Sequence, residues 1–275
     1  MTAPASAERP LVVVKLGGSV ITRKREVERA RPKVLARLAR EVAAVPDRRV
    51  VLLHGAGSFG HPGARKFGLA RAPLDSETPG YRARGATIVA TEVRRLHLLV
   101  LRALLRAGVS AASVPMATHA RNREGRLVRF DSAPFSEALE RGLTPVSFGD
   151  VVPDERWGAS ILSADTIAEE LVGPLRPERV VFVSDVPGVL EGPAGGRRTV
   201  VRELTEAAVA SLRPAPGIPD VTGGIRSKAE TMLRIAGAGV DAGLISGLTD
   251  GGLSRALREA TVYGSWARAG PLRAS

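Results

Sequence analysis

Residues 50–62, Val-Val-Leu-Leu-His-Gly-Ala-Gly-Ser-Phe-Gly-His-Pro, constrain the chain most. Four apolar residues run directly into a segment holding three glycines, a serine and two histidines. A short, partly β-branched apolar run that stops on glycine reads as a buried strand. Glycine reaches φ > 0 and has no Cβ, so the following loop can bring backbone N–H groups close to an anion. His61 stands just past that stretch, and Pro62 is expected to stop local helix propagation. A strand feeding such a loop is what a phosphate site at the edge of an α/β sheet requires. A tight strand-to-helix turn without ligand is the plain alternative.

The rest of the chain repeats this unit. Leu11-Val-Val-Val-Lys15-Leu-Gly17-Gly18-Ser19 is a strand with a glycine turn, and it lacks the GxxxxGK[ST] spacing of a Walker loop. Lys15 and Lys24 could both face the mouth above the sheet; for Lys24, a solvated charge run is the alternative. Residues 31–45 carry Val34, Leu35, Leu38, Val42 and Val45 on one helical face. Residues 62–84 read as an irregular segment, and 85–107 as a long helix with His97 as a core or interface histidine. Residues 109–115 read as a strand and 118–130 as a hairpin-like excursion with His119 exposed. A strand over 143–148 could bring Gly149 and Asp150 to the sheet edge of His61.

In the second half a helix begins near Ser163–Asp165, where Asp165 could equally be an ordinary first-turn acid. Residues 179–189 form a strand into a turn, 192–198 a flexible loop, and 203–212 a helix. A proline-rich hinge spans 213–219. Gly223, Gly224 and Lys228 open a further helix whose first amides suit a phosphate tail. A late strand over 241–246 and a short helix over 252–259 follow.

Composition narrows the function classes. The chain has 275 residues and no cysteine, which excludes disulfides, thiolate catalysis and cysteine metal sites. The first ten residues lack an apolar signal core and read as a disordered leader. No run approaches the ~18 apolar residues of a membrane span, so no membrane partner and a cytoplasmic location are expected. The net charge is +12, but the basic residues are scattered and aromatics are only 4%. No nucleic-acid partner is therefore expected; a positive field also helps capture small anions. Only five basic residues are lysine: Lys15, Lys24, Lys33, Lys66 and Lys228. Three of them lie in or beside glycine-rich segments, where a compact ammonium on a flexible stem can follow a phosphoryl group.

Taken in order, residues 15–24 (KLGGSVITRK), 54–62 (HGAGSFGHP), 148–150 (FGD), 163–165 (SAD), 184–189 (SDVPGV) and 220–228 (DVTGGIRSK) resemble the amino acid kinase superfamily. Within it they look most like the isopentenyl phosphate kinases, on the strength of the loop bearing His61. The resemblance covers about residues 11–264.

It implies an α/β fold, an open αβα sandwich with a largely parallel central sheet. Residues 11–155 would form an acceptor-phosphate lobe and 156–275 a nucleotide lobe on one continuous sheet. It implies a homodimer and transfer of a phosphoryl group from ATP, with Mg²⁺, to isopentenyl phosphate. Gly17, Gly18 and Ser19 would then cradle ATP phosphates, with Ala56 beside them, while Lys15 and Lys24 neutralise the moving phosphoryl. Gly223, Gly224 and Lys228 would hold the outer phosphates, Asp165 would orient the lysines, and Asp185 would lie by the nucleotide. Gly55, Gly60, His61, Gly149 and Asp150 would bind the acceptor, with His61 donating a hydrogen bond to it. An apolar pocket lined by Ile88, Val89 and Val93 would take its tail.

Ala56 stands where these kinases often have glycine, and would be strained if that residue needed φ > 0. No acidic pair at metal-ligand spacing stands out, so Mg²⁺ would arrive on ATP. Fosfomycin kinase carries a similar glycine–histidine loop and is the nearest rival. A nucleotide-binding regulator without catalysis is the alternative of another class.

Overall fold

Every residue of the first strand, β1 (Leu11–Leu16), is buried, because strands lie on both of its sides and helices cover both of its faces. The computed structural model describes residues 9–74, 76, 78–192, 198–212, 224–260 and 262–270. After β1 come α1 (Gly18–Ile21), α2 (Pro32–Ala43), β2 (Arg49–His54), α3 (Gly57–Lys66) and α4 (Pro79–Arg106). Then follow β3 (Ala111–Ser113), β4 (Ala120–Arg123), β5 (Arg126–Phe130), α5 (Ala133–Glu140), β6 (Thr144–Phe148), β7 (Asp150–Asp154) and β8 (Gly158–Leu162). The last part holds α6 (Ala164–Glu170), α7 (Val172–Leu175), β9 (Arg179–Ser184), β10 (Leu190–Glu191), β11 (Thr199–Val200) and α8 (Glu206–Ser211). It ends with α9 (Gly224–Gly237), β12 (Asp241–Ser246), α10 (Gly252–Arg258) and β13 (Ser265–Ala267).

The main sheet has the order β13-β12-β9-β1-β2-β6-β3, and all pairs are parallel except β12–β13. Alternation along β1 sends Val12, Val14 and Leu16 to the face covered by α2, α4 and α10. Leu11 and Val13 go to the face covered by α5, α6, α8 and α9. Burying each such valine or leucine contributes about 1.5–3 kcal/mol. The expected αβα sandwich is therefore observed. The chain leaves β1 toward β2 on one side and reaches β9 on the other, so the switch in strand order falls at β1. Crevices form at such points, beyond the carboxyl ends of the strands. A smaller sheet, β5-β4-β7-β8, stands beside α4. The division at 155/156 runs through the turn of the β7–β8 hairpin.

Four local expectations need correction. Pro62 does not stop a helix: it lies inside α3. Its missing N–H leaves the Ser58 carbonyl without its helical donor, and the Glu28 N–H bonds that oxygen instead at 3.1 Å. Residues 62–84 are not irregular throughout, since α3 runs to Lys66 and α4 starts at Pro79, six residues before Gly85. Thr78 caps α4 by accepting from the Tyr81 N–H, and Pro79 takes the first helical position. His119 is half-buried, with its Nδ1 3.4 Å from Asp131 Oδ2. Ala56 has φ −70° and ψ −27°, ordinary for alanine; Gly57 is the residue at φ +51°.

Residues 1–8 of the expected leader (1–10), residues 193–197 of the expected loop (192–198) and the whole hinge over 213–219 lie outside the described residues, as does Gly223. Arg9 and Pro10 are described, and hydrogen-bond Pro46 and Arg49. Among the described residues no helix is long and apolar enough to cross a membrane.

Candidate active site

A cleft of about 1480 Å³ opens over the carboxyl ends of β1, β2, β6 and β9. That exceeds the ~300–1,000 Å³ of a single small-ligand pocket. Lys15, Gly17, Gly18, Ser19, Lys24, Gly55, Ala56, Gly60, His61, Gly149, Asp150, Asp165, Asp185, Gly224 and Lys228 all border it. Apart from Ile88, every expected site residue within the described part of the chain is thus brought to one cleft.

Its electrostatic centre is Asp165. Ser163 caps α6 by accepting from the Thr166 N–H, and this places Asp165 in the first helical turn. Asp165 Oδ1 lies 2.7 Å from Lys15 Nζ and Oδ2 lies 2.7 Å from Lys228 Nζ. Burial would raise the Asp165 pKa, but the two ammonium groups outweigh it and hold the carboxyl well below the usual range. Lys15 is buried, and burial pulls its pKa down to about 8 against the opposing pull of Asp165; Lys228 adds to the lowering. A single carboxylate thus holds two lysine side chains close together.

Lys24 is not in that cluster. It reaches Asp185 Oδ2 at 2.9 Å, while Ser19 donates to Asp185 Oδ1 at 2.7 Å. Burial would raise Asp185, and the Ser19 and Lys24 contacts hold it below its ordinary value. Asp165 therefore orients Lys15 and Lys228, and Asp185 orients Lys24.

The two glycine loops touch each other. A Cβ on Gly18 would lie 2.4 Å from the Gly57 nitrogen and 2.5 Å from its Cα. Thr22 staples the contact: its hydroxyl donates to the Gly18 carbonyl at 2.7 Å and accepts the Ser58 N–H at 3.0 Å. Sequence reasoning missed Thr22, although it lies within the 15–24 segment.

Several expected donors are already committed. The Gly17 N–H bonds the Val183 carbonyl at 2.7 Å, Gly55 that of Leu16 at 2.9 Å, and Gly149 that of His54 at 3.0 Å. These three glycines supply room rather than hydrogen bonds. Asp150 is also engaged. Its carboxylate pairs with Arg94 at 3.1 and 3.2 Å and accepts the Val151 N–H at 2.8 Å. Burial raises its pKa against the pull of Arg94. By contrast, the N–H groups of Gly18, Ser19, Ala56 and Gly57 have no acceptor among the described residues.

The end of the cleft near His61 is mostly apolar: Pro62, Ala64, Ala70, Val89, Val93, Val151 and Ile161 border it, with Arg65 and Asp150 among them. Val89 and Val93 stand there as expected. Ile88 does not: it is 39% exposed on the outer face of α4 and does not border the cleft.

Residues 10–245 match the amino acid kinase family. The chain belongs to that family, among its isopentenyl phosphate kinases. It is 33% identical to the isopentenyl phosphate kinase of Methanothermobacter thermautotrophicus, over 93% of this chain and 98% of that protein. It is 38% identical to the enzyme of Haloferax volcanii, over 82% and 88% of the two chains. A crystal structure of an isopentenyl phosphate kinase superposes with a TM-score of 0.81 at 30% identity, covering 94% of this chain and 99% of the other. That of the Thermoplasma acidophilum enzyme in a product complex gives 0.75 at 27% identity, covering 94% and 100%.

Proposed function

We propose that the chain transfers the γ-phosphoryl group of ATP to isopentenyl phosphate, giving isopentenyl diphosphate and ADP. The observation that carries this reading is the single cleft that joins a lysine–carboxylate cluster to an apolar pocket through His61. The similarity to isopentenyl phosphate kinases over nearly the whole chain supports the same acceptor. The apolar border of Val89, Val93, Val151 and Ile161 suits a five-carbon tail better than the compact, polar fosfomycin.

Phosphoryl transfer needs positioning and charge stabilisation more than covalent chemistry. Lys15 and Lys228 would meet the transferring phosphoryl and outer ATP phosphates, with Asp165 holding both ammonium groups in place. Lys24, the longer reach from Asp185, would follow the phosphoryl as it moves. The N–H groups of Gly18 and Ser19 would meet ATP phosphates; that of Ala56, which the resemblance set beside them, would with Gly57 face the acceptor instead, since both stand on the loop that leads to His61. His61 would donate to an acceptor oxygen; the acceptor is already an anion and needs little general-base help. Asp150 would act through Arg94 and the β6–β7 turn rather than by touching substrate.

Among the described residues no three carboxylate or imidazole groups converge as a metal cage. Mg²⁺ would come bound to the phosphate oxygens of ATP, where it supplies charge neutralisation. The enzyme would be a cytoplasmic homodimer, with the acceptor lobe in the first half of the chain and the nucleotide lobe in the second.

The test is coupled ADP release with Mg-ATP and each of isopentenyl phosphate, dimethylallyl phosphate and fosfomycin. Turnover on isopentenyl phosphate is expected. Turnover confined to fosfomycin would keep the mechanism and overturn the acceptor; ATP binding without turnover on any of them would favour the regulator.

A further inference from the structure

Two histidines that do not border the cleft form a hydrogen-bonded chain behind its acceptor loop. His54 is the last residue of β2 and is fully buried; His97 on α4 is 4% exposed. His54 Nδ1 lies 3.2 Å from the Gly55 carbonyl oxygen, His54 Nε2 3.1 Å from His97 Nδ1, and His97 Nε2 2.8 Å from Ser113 Oγ. Phe148 stacks on His54 at 5.5 Å between centroids and lies tilted against His97 at 4.4 Å.

The chain has one direction. A carbonyl can only accept, so His54 Nδ1 carries the proton. In a neutral ring His54 Nε2 then accepts, so His97 Nδ1 donates, His97 Nε2 accepts and the Ser113 hydroxyl donates. Burial lowers His54 to about 3 and His97 to about 4, so both rings are neutral at pH 7.

The consequence falls on the next peptide. The Gly55–Ala56 peptide bond is trans, so its C=O and N–H point in opposite directions. Drawing the Gly55 oxygen back toward His54 turns the Ala56 N–H away from it. Ala56 borders the cleft, and its N–H has no acceptor among the described residues.

We infer that His54 is a positioning residue for the acceptor phosphate: backed by His97 and Ser113, it fixes the Gly55–Ala56 peptide so that the Ala56 N–H faces the anion. This rests on the proposed acceptor site. The backbone bonds of this corner, Gly149 N–H to the His54 carbonyl and Gly55 N–H to Leu16, do not depend on the ring and should survive its replacement.

The test has two parts. Nitrogen-15 NMR of the unmodified protein at pH 7 should show His54 in the Nδ1-protonated form; an Nε2-protonated ring would overturn the inference. Two variants then separate positioning from packing. His54→Phe keeps an aromatic ring beside Phe148 but loses the donor, whereas His54→Asn keeps an N–H at the Nδ1 position. His54→Phe should raise KM for isopentenyl phosphate about tenfold, the worth of one well-aligned hydrogen bond, with KM for ATP unchanged. His54→Asn should stay near the parent. A Phe variant with the parent's KM, or an Asn variant as impaired as Phe, would refute the role. Should His54→Phe not fold, the tautomer measurement decides. If the parent shows no turnover on isopentenyl phosphate, the proposed function fails separately, and binding of inorganic phosphate to the same variants carries the comparison.

Discussion

Replacing Asp165 by asparagine removes one negative charge from between two ammonium groups, each 2.7 Å away. At an effective dielectric of 20, a charge pair about 4 Å apart is worth roughly 4 kcal/mol. Breaking a buried pair by removing one partner typically costs about 3–5 kcal/mol. Lys15 sits near pKa 8 with Asp165 present, because burial outweighs its partner. Each 1.4 kcal/mol of lost attraction lowers that value by about one unit, so two units or more would make Lys15 mostly neutral at pH 7.

The sign follows: the lysine works when protonated, so kcat/KM of the parent should fall as pH rises through about 8. In Asp165→Asn that limb should move below pH 7, and kcat should drop on the order of 10²–10³-fold. Initial rates with Mg-ATP and isopentenyl phosphate across pH 6–10 measure both quantities. An Asp165→Asn variant with the parent's rate and an unmoved alkaline limb would refute the account of a carboxylate that keeps Lys15 charged.

Four further outcomes follow from particular contacts. His61→Ala should cut turnover on the order of 10²-fold, as loss of one transition-state donor does, with ATP affinity by calorimetry unchanged. Gly18→Ala would drive a Cβ to within 2.5 Å of the Gly57 backbone, so melting and turnover should both suffer even though alanine is the better helix former. Ala56→Gly should lower stability by about 0.5–1 kcal/mol in denaturant titration, because the backbone there is ordinary for alanine and glycine only adds freedom to the unfolded chain. Asp154 accepts from the Glu124, Gly125, Arg156 and Trp157 N–H groups and from Ser160; despite burial they hold its pKa at about 2. Its contribution is present above about pH 4 and lost as pH falls toward 2, so Asp154→Asn should flatten the acid limb of the melting-temperature profile.

Strand cores and glycine turns were legible because they are written locally: Leu11–Leu16, Val50–Leu53 and Arg179–Ser184 each announce burial in a few residues. The site residues were legible because each glycine turn ends a parallel strand at the same edge. Contacts between distant segments were not. Nothing near Pro62 says that Glu28 will supply the hydrogen bond it lacks, and nothing near Gly55 or Gly149 says that sheet carbonyls will consume their N–H groups. The pairing of Lys24 with Asp185 rather than Asp165 likewise needs the packed fold. The strand β8 was missed because Gly158–Leu162 is a short edge strand, running straight into the Ser163 cap and held by its pairing with β7. The early start of α4 was readable in Thr78-Pro79, a cap followed by a first-position proline.

The most direct measurement is phosphorus-31 NMR of the protein mixed with Mg-ATP and isopentenyl phosphate. The account predicts that the monophosphate signal is replaced by the paired resonances of a diphosphate ester while ADP accumulates one for one. ADP formed together with free inorganic phosphate, or an isopentenyl phosphate signal that persists unchanged beside intact ATP, would contradict it.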